Sequence, residues 1–438
     1  MNSSSASVPA SSSTIHNQVD AARLRSLQAL GIFCGFAAGA WLGGAEAPIK
    51  LVNPGISPIT VSLVMVCGVF LARWSVPAFI RGTAHLRTDI RQAPHLIVWA
   101  ILAGCMWAVA NTLTIYAIRN VGLSIAFPLW NSNSLLGIFW GVVLFKELHS
   151  AGWQRWLGVI GGALCMFAGA TLLAIASANQ AAPGKAAMGI TAALGAGILW
   201  GTMYIPYRKA YLTGMNPLSF ITFFTVGELV TMGSLAITYR GAGPLWRELS
   251  SARSVLFWLM LGGLVWVIGD LFQQYAAKYV GISRGIPLSN TNQLWGLLWG
   301  VLVFHELEGG GRSVYIQVGG GSVLMALGAV AIALSSATER EHSSWRDAAH
   351  REGERYSVER EYVRAGMEGR DFGSAPVSRS LLDWLLILGT TVLFVILASM
   401  ARLPQIDFSG AWAAVLTAAM LALVATCSVA LWRTTRFR

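Results

Sequence analysis

Twelve apolar runs dominate this chain, and each is about as long as a bilayer is thick. A helix that crosses the hydrocarbon core needs about 20 consecutive apolar residues. The runs take up well over half of the 438 residues, and only 12% of the residues are charged. The sequence therefore predicts an all-α polytopic membrane protein, and it excludes a soluble enzyme, a disordered protein, a secreted disulfide scaffold and an outer-membrane barrel. The runs lie near 26–48, 57–80, 95–118, 121–145, 153–177, 186–208, 217–239, 254–277, 280–304, 314–336, 381–400 and 411–432.

The fourth and ninth runs are copies of one another. Residues 120–148 and 279–307 are identical at 15 of 29 positions, at an offset of 159. The match extends along the chain, so that Trp107 pairs with Trp266, and Gly39 pairs with Gly197 at an offset of 158. Each repeat thus contains five helices. Because five is odd, the second copy enters the membrane in the opposite direction, an arrangement that many secondary transporters use to expose a central site to each side in turn. A duplicated scaffold without transport activity is the alternative.

The repeat and the composition divide the chain into five parts. We predict a disordered cytoplasmic tail at 1–22, a first repeat at 26–177, an inverted second repeat at 186–336, a charged cytoplasmic linker at 338–379, and two extra transmembrane helices at 381–432. The linker is most simply a solvated segment, with a regulatory module as the alternative. A cleaved signal peptide ending near Ala45 and Ala47 is a further alternative for the first run.

The basic residues predict the orientation. The net charge of +11 arises mostly between the apolar runs, which favours contact with anionic lipids over nucleic acid. With the N-terminus in the cytoplasm, eight basic residues of the first half lie inside and three lie outside. We therefore predict a cell-membrane protein with both termini in the cytoplasm. The inside set of the first half is Arg23, Arg25, Arg73, Arg81, Arg87, Arg91, Lys146 and Arg155. In the second half, which discriminates poorly, the inside residues would be Arg208, Lys209 and Lys278.

The fourth and ninth runs each contain P-L-x-N-x-N in the middle of the membrane. The asparagines are Asn131 and Asn133, then Asn290 and Asn292. Consecutive polar residues cover every side of a helix, so these segments line a cavity or the bundle interior rather than lipid. An amide both donates and accepts hydrogen bonds, as a sugar hydroxyl does. The alternative is that the asparagines only join neighbouring helices.

Prolines and aromatic residues accompany the amides. Pro128 and Pro287 each deprive a serine carbonyl of its helical partner, which predicts kinks, and Pro48 aligns with Pro206 in the repeat. Flat rings stack against the apolar faces of sugars. Interfacial belts are the alternative place for many of the 18 tryptophans. The candidate substrate-binding aromatic residues are Trp107, Trp140, Trp200, Trp266, Trp299 and Tyr204.

Two acids lie well inside the ten helices of the repeats. Asp270 is followed by Gln273 and Gln274, which add to a polar stripe and to the candidate substrate contacts, and Glu228 lies on the seventh run. An intramembrane carboxylate is by default a candidate functional group. We predict that Asp270, with Glu228 as second candidate, couples proton movement to substrate movement. A structural acid bonded to Lys278, threonine or glutamine is the alternative.

These motifs resemble the drug/metabolite transporter superfamily. "FPLWNSNSLLGIFWGVVLFKEL" and "IPLSNTNQLWGLLWGVLVFHEL" look like that family's fourth helix, twice, and the paired asparagines and the W-G-V run are most similar to the glucose/ribose porter branch of sugar uptake permeases. The resemblance covers residues 26–336. It implies ten helices in two inverted repeats, termini inside, and a pocket lined by the fourth and ninth runs together with the first, third, sixth and eighth.

The sequence thus predicts a secondary active transporter of a sugar or similar polyhydroxylated solute, working by alternating access and proton-coupled. An exporter or exchanger of another metabolite or drug is the alternative, and an intramembrane enzyme or a receptor is more remote, because no second buried Asp or G-x-S-G motif accompanies Asp270. No cofactor, metal or disulfide is expected from the scattered His and Cys residues. The glycine-rich fifth and tenth runs suggest a homodimer face.

Overall fold

The computed structural model describes residues 10–45, 47–50, 56–121, 126, 129–149, 151–176, 186–305, 307–308, 311–335, 337–370, 372, 379–402 and 407–438. Every regular element in these ranges is helical. The helices of the first half are α1 (Ala10–Gly44), α2 (Ala47–Lys50), α3 (Pro58–Ile80), α4 (Ala84–Gln92), α5 (Pro94–Val121), α6 (Asn133–Phe145) and α7 (Gly152–Ala176). The helices that follow are α8 (Ala186–Leu212), α9 (Pro217–Arg240), α10 (Ala242–Ser251), α11 (Leu256–Val280), α12 (Ile282–Ser289), α13 (Asn292–Leu298), α14 (Arg312–Leu334), α15 (Glu339–Arg355), α16 (Arg360–Met367), α17 (Leu381–Met400) and α18 (Gly410–Thr435).

Ten of these helices are long and apolar enough to cross a membrane, counted over the described residues. The prediction of an all-α polytopic membrane protein is therefore confirmed. The remaining two of the twelve predicted runs, the fourth and the ninth, are the ones that carry the asparagines. α1 begins at Ala10 and so extends into the segment 1–22 that the sequence predicts to be disordered.

The ninth run is a broken helix. α12 contains Pro287 and ends at Ser289, α13 begins at Asn292, and a π-helical turn follows from Trp299 to Val303. A proline removes one backbone donor and crowds the preceding turn, which favours a break of this kind. Pro206 lies inside α8 without interrupting it, and Pro48 lies in the short α2. Pro128, the predicted kink in the fourth run, lies outside the described residues.

Glycines let three pairs of helices cross at close range. A Cβ added to Gly68 on α3 would lie 2.4 Å from the carbonyl oxygen of Met260 on α11, and one added to Gly227 on α9 would lie 2.1 Å from that of Ile101 on α5. Gly162 of α7 likewise approaches the backbone of Gly328 on α14. Small residues permit such contacts between membrane helices. Because α7 and α14 use these glycines on each other within one chain, only outward positions such as Gly320, with nothing within 4 Å, remain for the predicted homodimer face.

The charged segment after α14 packs against one end of the bundle, which we call the linker end. Trp345 of α15 and Tyr362 of α16 are buried, so this segment is not the solvated linker that its charge pattern favours. Arg23 of α1 donates to the Glu368 carbonyl oxygen, and Gln28 donates to that of Ala337. The carbonyl oxygen of Phe437, just after α18, accepts from Tyr275 at the end of α11.

The two extra helices pack on the outside of the bundle. α17 lies against α3, and α18 lies against α1. Trp41 donates its indole N–H to the carbonyl oxygen of Met420, 2.9 Å away, and the Cys34 and Cys427 sulfurs lie 3.5 Å apart. We therefore describe α17 and α18 as packing elements of the bundle, outside the polar interior described next.

Candidate functional site

Three charged side chains from three helices meet in the middle of the bundle. Arg73 of α3 lies 2.9 Å from an oxygen of Glu228 on α9 and 2.7 Å from an oxygen of Asp270 on α11. All three are at most 1% exposed. We call this group the central triad. Charges inside a membrane protein face the bundle interior and pair with one another because lipid cannot solvate them, and the triad follows this rule.

Further contacts hold the triad in place. Gln274 donates to the second oxygen of Asp270 at 3.1 Å, and Tyr211 of α8 donates to the Gln274 side-chain oxygen. The Arg73 guanidinium lies over the ring of Phe224, 4.2 Å from its centroid, and 5.1 Å from that of Trp266. Aromatic faces attract a cation, most strongly in a dry environment. Gln274 and Trp266, predicted as substrate contacts, therefore lie against the charged group.

Sequence reasoning missed Arg73 because it was counted among the cations of cytoplasmic loops. The signal was present, since Arg73 lies inside the apolar run 57–80, where an ionisable residue is a candidate functional group. Its partners were not readable, because they lie 155 and 197 residues away. The alternative partner weighed for Asp270, Lys278, forms no ion pair with it.

The triad contains two carboxylates and a single cation. With both acids ionised, it carries one uncompensated negative charge in a region that water does not reach. Such a charge is costly to bury, and binding one proton removes it. The arrangement can therefore hold or release a proton, and the change in charge is felt by all three helices that contribute to it.

The amide residues meet where the fourth and ninth runs cross. The Asn290 side chain donates to the Ser134 hydroxyl, and Gln273 of α11 donates to the Ser289 hydroxyl at 2.6 Å. Asn131 and Pro287 line a small space at this crossing together with Asn290, beside α7 and α14. Its volume is about 10 Å³, room for a single water molecule.

Several amide atoms of the fourth and ninth runs are buried without a hydrogen-bond partner among the described residues. They are Nδ2 of Asn131, Oδ1 of Asn292 and Oε1 of Gln293. Buried polar groups normally find a partner, because leaving one unpaired costs about 1–3 kcal/mol. The unsatisfied atoms include both a donor and acceptors, which is what a ligand with hydroxyl groups requires.

The second asparagine of each motif lies against another helix. The backbone of Asn133 passes close to Gly201 on α8, and that of Asn292 passes close to Gly43 on α1. These glycine contacts are repeat mates, so the two asparagine segments are held in the same way by equivalent helices. The structure brings Asn131 and Asn290 together and places Asn133 and Asn292 to either side.

The aromatic residues predicted to bind substrate lie in two separate clusters. Trp107 and Trp266, which are repeat mates, meet edge to face with centroids 5.1 Å apart. Tyr204 packs against Gly137 of α6 and joins the same apolar cluster, with Trp140 and Trp200 at its edge. Trp299 lies elsewhere, in the cluster that α1 forms with α11 and α18. The indole N–H groups of Trp140, Trp200 and Trp299 are buried with no partner among the described residues.

A second set of buried charges closes the linker end. Glu147, at the end of the fourth run, lies 2.7 Å from Arg208 and accepts the backbone N–H groups of Ile282 and Ser283 at the start of α12. Arg284 donates to Glu341 of α15 at 3.1 Å, and Glu341 also accepts from the Leu148 N–H at 2.9 Å. We call Glu147–Arg208 and Glu341–Arg284 the end pairs. They join the fourth, sixth and ninth runs to the C-terminal segment.

The fold and these polar groups define the class of protein. The chain is a multi-pass membrane protein with a charged triad and unpaired amides inside its bundle. Among the described residues, no three His, Cys, Asp or Glu side chains are placed to hold a metal ion.

Comparison with known proteins shows which multi-pass membrane proteins this chain resembles. Residues 192–355 match a family model described as sugar transport protein. A putative sugar uptake protein of Listeria innocua is 23% identical over 240 residues, 54% of this chain and 78% of that protein. The glucose uptake protein GlcU of Staphylococcus xylosus is 23% identical over 226 residues, 51% of this chain and 74% of that one. A putative sugar uptake protein of Streptococcus pyogenes is 39% identical over 80 residues, 18% of this chain and 26% of the relative.

The resemblance to sugar uptake permeases, first indicated by the two P-L-x-N-x-N segments, is thereby confirmed. The matched residues 192–355 contain Glu228, Asp270 and the ninth run with its asparagines. They also contain α15, which supplies Glu341 to the end pairs. Both the central triad and the closed linker end therefore include residues from the matched part of the chain.

Proposed function

We propose that this protein takes up a sugar across the cell membrane by alternating access, driven by protons, with the linker end in the cytoplasm. The single observation that carries the substrate proposal is the set of unpaired amide atoms in the fourth and ninth runs, Asn131 Nδ2, Asn292 Oδ1 and Gln293 Oε1. A sugar presents alternating hydroxyl donors and acceptors, and each can satisfy one of these atoms. The names of the relatives, sugar and glucose uptake proteins, agree with this substrate class.

Alternating access requires two structurally equivalent halves that can exchange conformations. The contacts between helices support such an equivalence of the two repeats. Gly68 contacts Met260, and Gly227 contacts Ile101. Gly227 is the repeat equivalent of Gly68, and Ile101 is the repeat equivalent of Met260, both at the offset of 159, so the two contacts are equivalent with the repeats exchanged. The pairs Gly162–Gly328 and Gly169–Gly321 are mates in the same sense. Contacts that exchange in this way are expected of two repeats related by a two-fold axis, and an axis in the membrane plane inverts one of them.

The substrate site has to open before a sugar can enter. A space of about 10 Å³ is far below the roughly 300–1,000 Å³ of ordinary ligand pockets. The end pairs close the linker end, since Glu147 and Arg284 fasten the start of α12 to neighbouring segments. We propose that the structure represents a closed state, and that breaking the end pairs lets the fourth and ninth runs separate toward the cytoplasm.

Proton coupling rests on the charge count of the central triad. One proton converts the triad from a net negative group into a neutral one, which changes the cost of keeping α3, α9 and α11 in contact. Helix α11 links the triad to the amide crossing. Asp270 of the triad accepts a hydrogen bond from Gln274 on the same helix, and the neighbouring Gln273 donates to Ser289, next to Asn290. Substrate binding and proton binding can therefore act on the same helix.

Uptake of labelled sugars into proteoliposomes, with and without an inward proton gradient, tests the proposal. We expect uptake of a hexose or pentose, stimulated by the gradient, and a loss of most of that uptake in N131A and N290A. Asn120→Ala is the matched control, because within the described part of the chain the Asn120 amide donates to the Tyr116 carbonyl of its own helix. Normal uptake in N131A and N290A, or the absence of uptake for every sugar tried, would reject the proposed site.

A further inference from the structure

A cavity at the linker end is lined by an excess of cationic side chains. It lies between the ends of α8 and α11, the start of α1, and the C-terminal segment, and its volume is about 80 Å³. Its charged lining residues are Arg23, Arg208, Lys278, Arg346, Arg370 and Glu368. Five cations thus face one carboxylate, and that carboxylate already binds Arg364 and Arg370.

Among these residues, Lys278 gives the clearest indication that the cavity binds an anion. Its side chain is buried, with 6% of the residue exposed, and its Nζ has no hydrogen-bond partner among the described residues. Asp89, at the same end, instead accepts from the Tyr362 hydroxyl at 2.7 Å. Lys278 forms no ion pair among the described residues, and a buried ammonium without one is unfavourable, so its position favours an anion supplied by a ligand.

A second buried donor belongs to a residue that lines the same cavity, Trp345. Trp345 is 2% exposed, and its indole N–H has no partner in the described part of the chain. The ring of Trp345 also lies 4.2 Å from the guanidinium of Arg208, which keeps Arg208 at the cavity wall while its charge is matched by Glu147. The exposed Arg346 and Arg370 stand at the rim, where they can attract an anion from solution.

We propose that this cavity is a binding site for a phosphate group, separate from the sugar site and the central triad. A phosphate offers several strong acceptor oxygens, enough to pair with Lys278, the Trp345 N–H and a rim arginine together, and charge-assisted bonds of this kind are strong. The bound group would join α11 of the transport bundle to α15 of the C-terminal segment, and so stabilise the closed linker end. The phosphate group belongs either to a small soluble phosphate compound or to the headgroup of a lipid with a net negative charge.

Binding to the full-length protein in neutral phosphatidylcholine nanodiscs tests this site without any transport measurement. Inorganic phosphate and glucose 6-phosphate are titrated at constant ionic strength, with chloride as the salt control, while the midpoint of thermal unfolding is followed. A second arm replaces part of the phosphatidylcholine by phosphatidylglycerol and adds no soluble phosphate. Stabilisation in the first arm assigns a soluble ligand, and stabilisation in the second arm alone assigns a lipid headgroup.

Three variants make the result specific. K278Q is expected to weaken the apparent affinity about tenfold or more, the effect of losing one charge-assisted hydrogen bond, and R346Q to weaken it by a smaller factor. K209Q is the control, because Lys209 lies at the same end but pairs with Glu352 outside the cavity. If K278Q does not fold, the exposed Arg346 still decides the question. The proposal is overturned if neither arm shifts the midpoint, or if K209Q responds as K278Q and R346Q do.

Discussion

The central triad and the end pairs are both groups of buried charges, but their charge balance differs. Each end pair matches one arginine with one carboxylate and adds backbone N–H donors to the carboxylate. The triad sets one arginine against two carboxylates. A pair with balanced charge gains nothing from a proton, whereas the triad becomes neutral. The comparison suggests that the end pairs hold one conformation, while the triad responds to protonation.

The largest effect is expected from breaking the triad at its single cation. R73M leaves Glu228 and Asp270 buried without a cation, and removing one member of a buried ion pair costs about 3–5 kcal/mol. We expect a lower free energy of unfolding by that amount and no uptake. Chemical unfolding of the purified protein measures the free energy of unfolding. The triple variant R73M/E228Q/D270N is expected to recover stability but not gradient-driven uptake, and full uptake by the triple variant would contradict the role of the triad.

Neutralising one acid at a time should separate exchange from coupling. In D270N or E228Q a single carboxylate remains opposite Arg73, so the triad becomes as balanced as an end pair. We expect each variant to exchange labelled for unlabelled sugar across the vesicle membrane but to show no accumulation driven by a pH gradient. One coupled proton supports about tenfold accumulation per pH unit, which is the size of the loss to be measured. Accumulation at the wild-type level in both variants would rule out this coupling.

Acid should weaken the linker end through His342 of α15. Burial, together with the positive charge of Arg208, lowers the pKa of His342 from 6.5 to about 4. As the pH falls from 6.5 toward 4, the unfolded chain takes up this proton before the folded one, so the stability contributed by neutral His342 is present above pH 6.5 and lost toward pH 4. The loss reaches up to about 3 kcal/mol. Unfolding of wild type and H342Q across this range should show a steeper decline in wild type, and parallel curves would contradict the assignment.

Loosening one end pair should favour opening without unfolding. E341Q keeps an oxygen that can accept from Arg284 and from the Leu148 N–H, but it loses the charge, at a cost of about 1–3 kcal/mol. We expect a cysteine introduced at the buried Ser283 to react with a soluble thiol reagent about tenfold faster in E341Q. The background lacks the native cysteines. An unchanged rate would show that the pair does not hold the linker end closed.

The smallest effect is expected at an ion pair of the opposite end. Arg240 and Glu248 lie 2.8 Å apart, but Arg240 is 40% exposed, so water and salt screen the pair. R240Q is expected to change the free energy of unfolding by less than about 1 kcal/mol and to leave uptake unchanged. A loss as large as that of R73M would mean that burial does not explain the difference between the two kinds of pair.

Much of the fold and part of the site were predictable from local sequence. The apolar runs predicted helices because a helix satisfies its own backbone within lipid. The polar residues within those runs identified Asp270, Glu228, Asn131 and Asn290 as interior groups, and all four lie inside the bundle. The positions of Arg73, Arg208 and Lys278 were not predictable from loop counting, because each is a cation whose burial depends on helices far away in the chain.

The C-terminal segment shows the same limit. Its interleaved charges favour a solvated helix, yet Glu341 and Trp345 are buried against the transport helices. Glu341 is buried because Arg284, 57 residues away, supplies its charge partner. A charge pattern alone cannot distinguish a residue that faces water from one that faces an opposite charge.

The sequence by itself determined the helical character of the chain, the number of its apolar runs, the duplicated motif and the residue types available to a polar interior. These follow from interactions within one helix and from the cost of placing polar groups in lipid, both of which depend only on neighbouring residues. The tertiary structure decided which charges meet, which amide atoms stay unpaired and how the C-terminal segment closes one end. Those outcomes depend on distances between residues more than 50 positions apart, which only the packing of the helices sets.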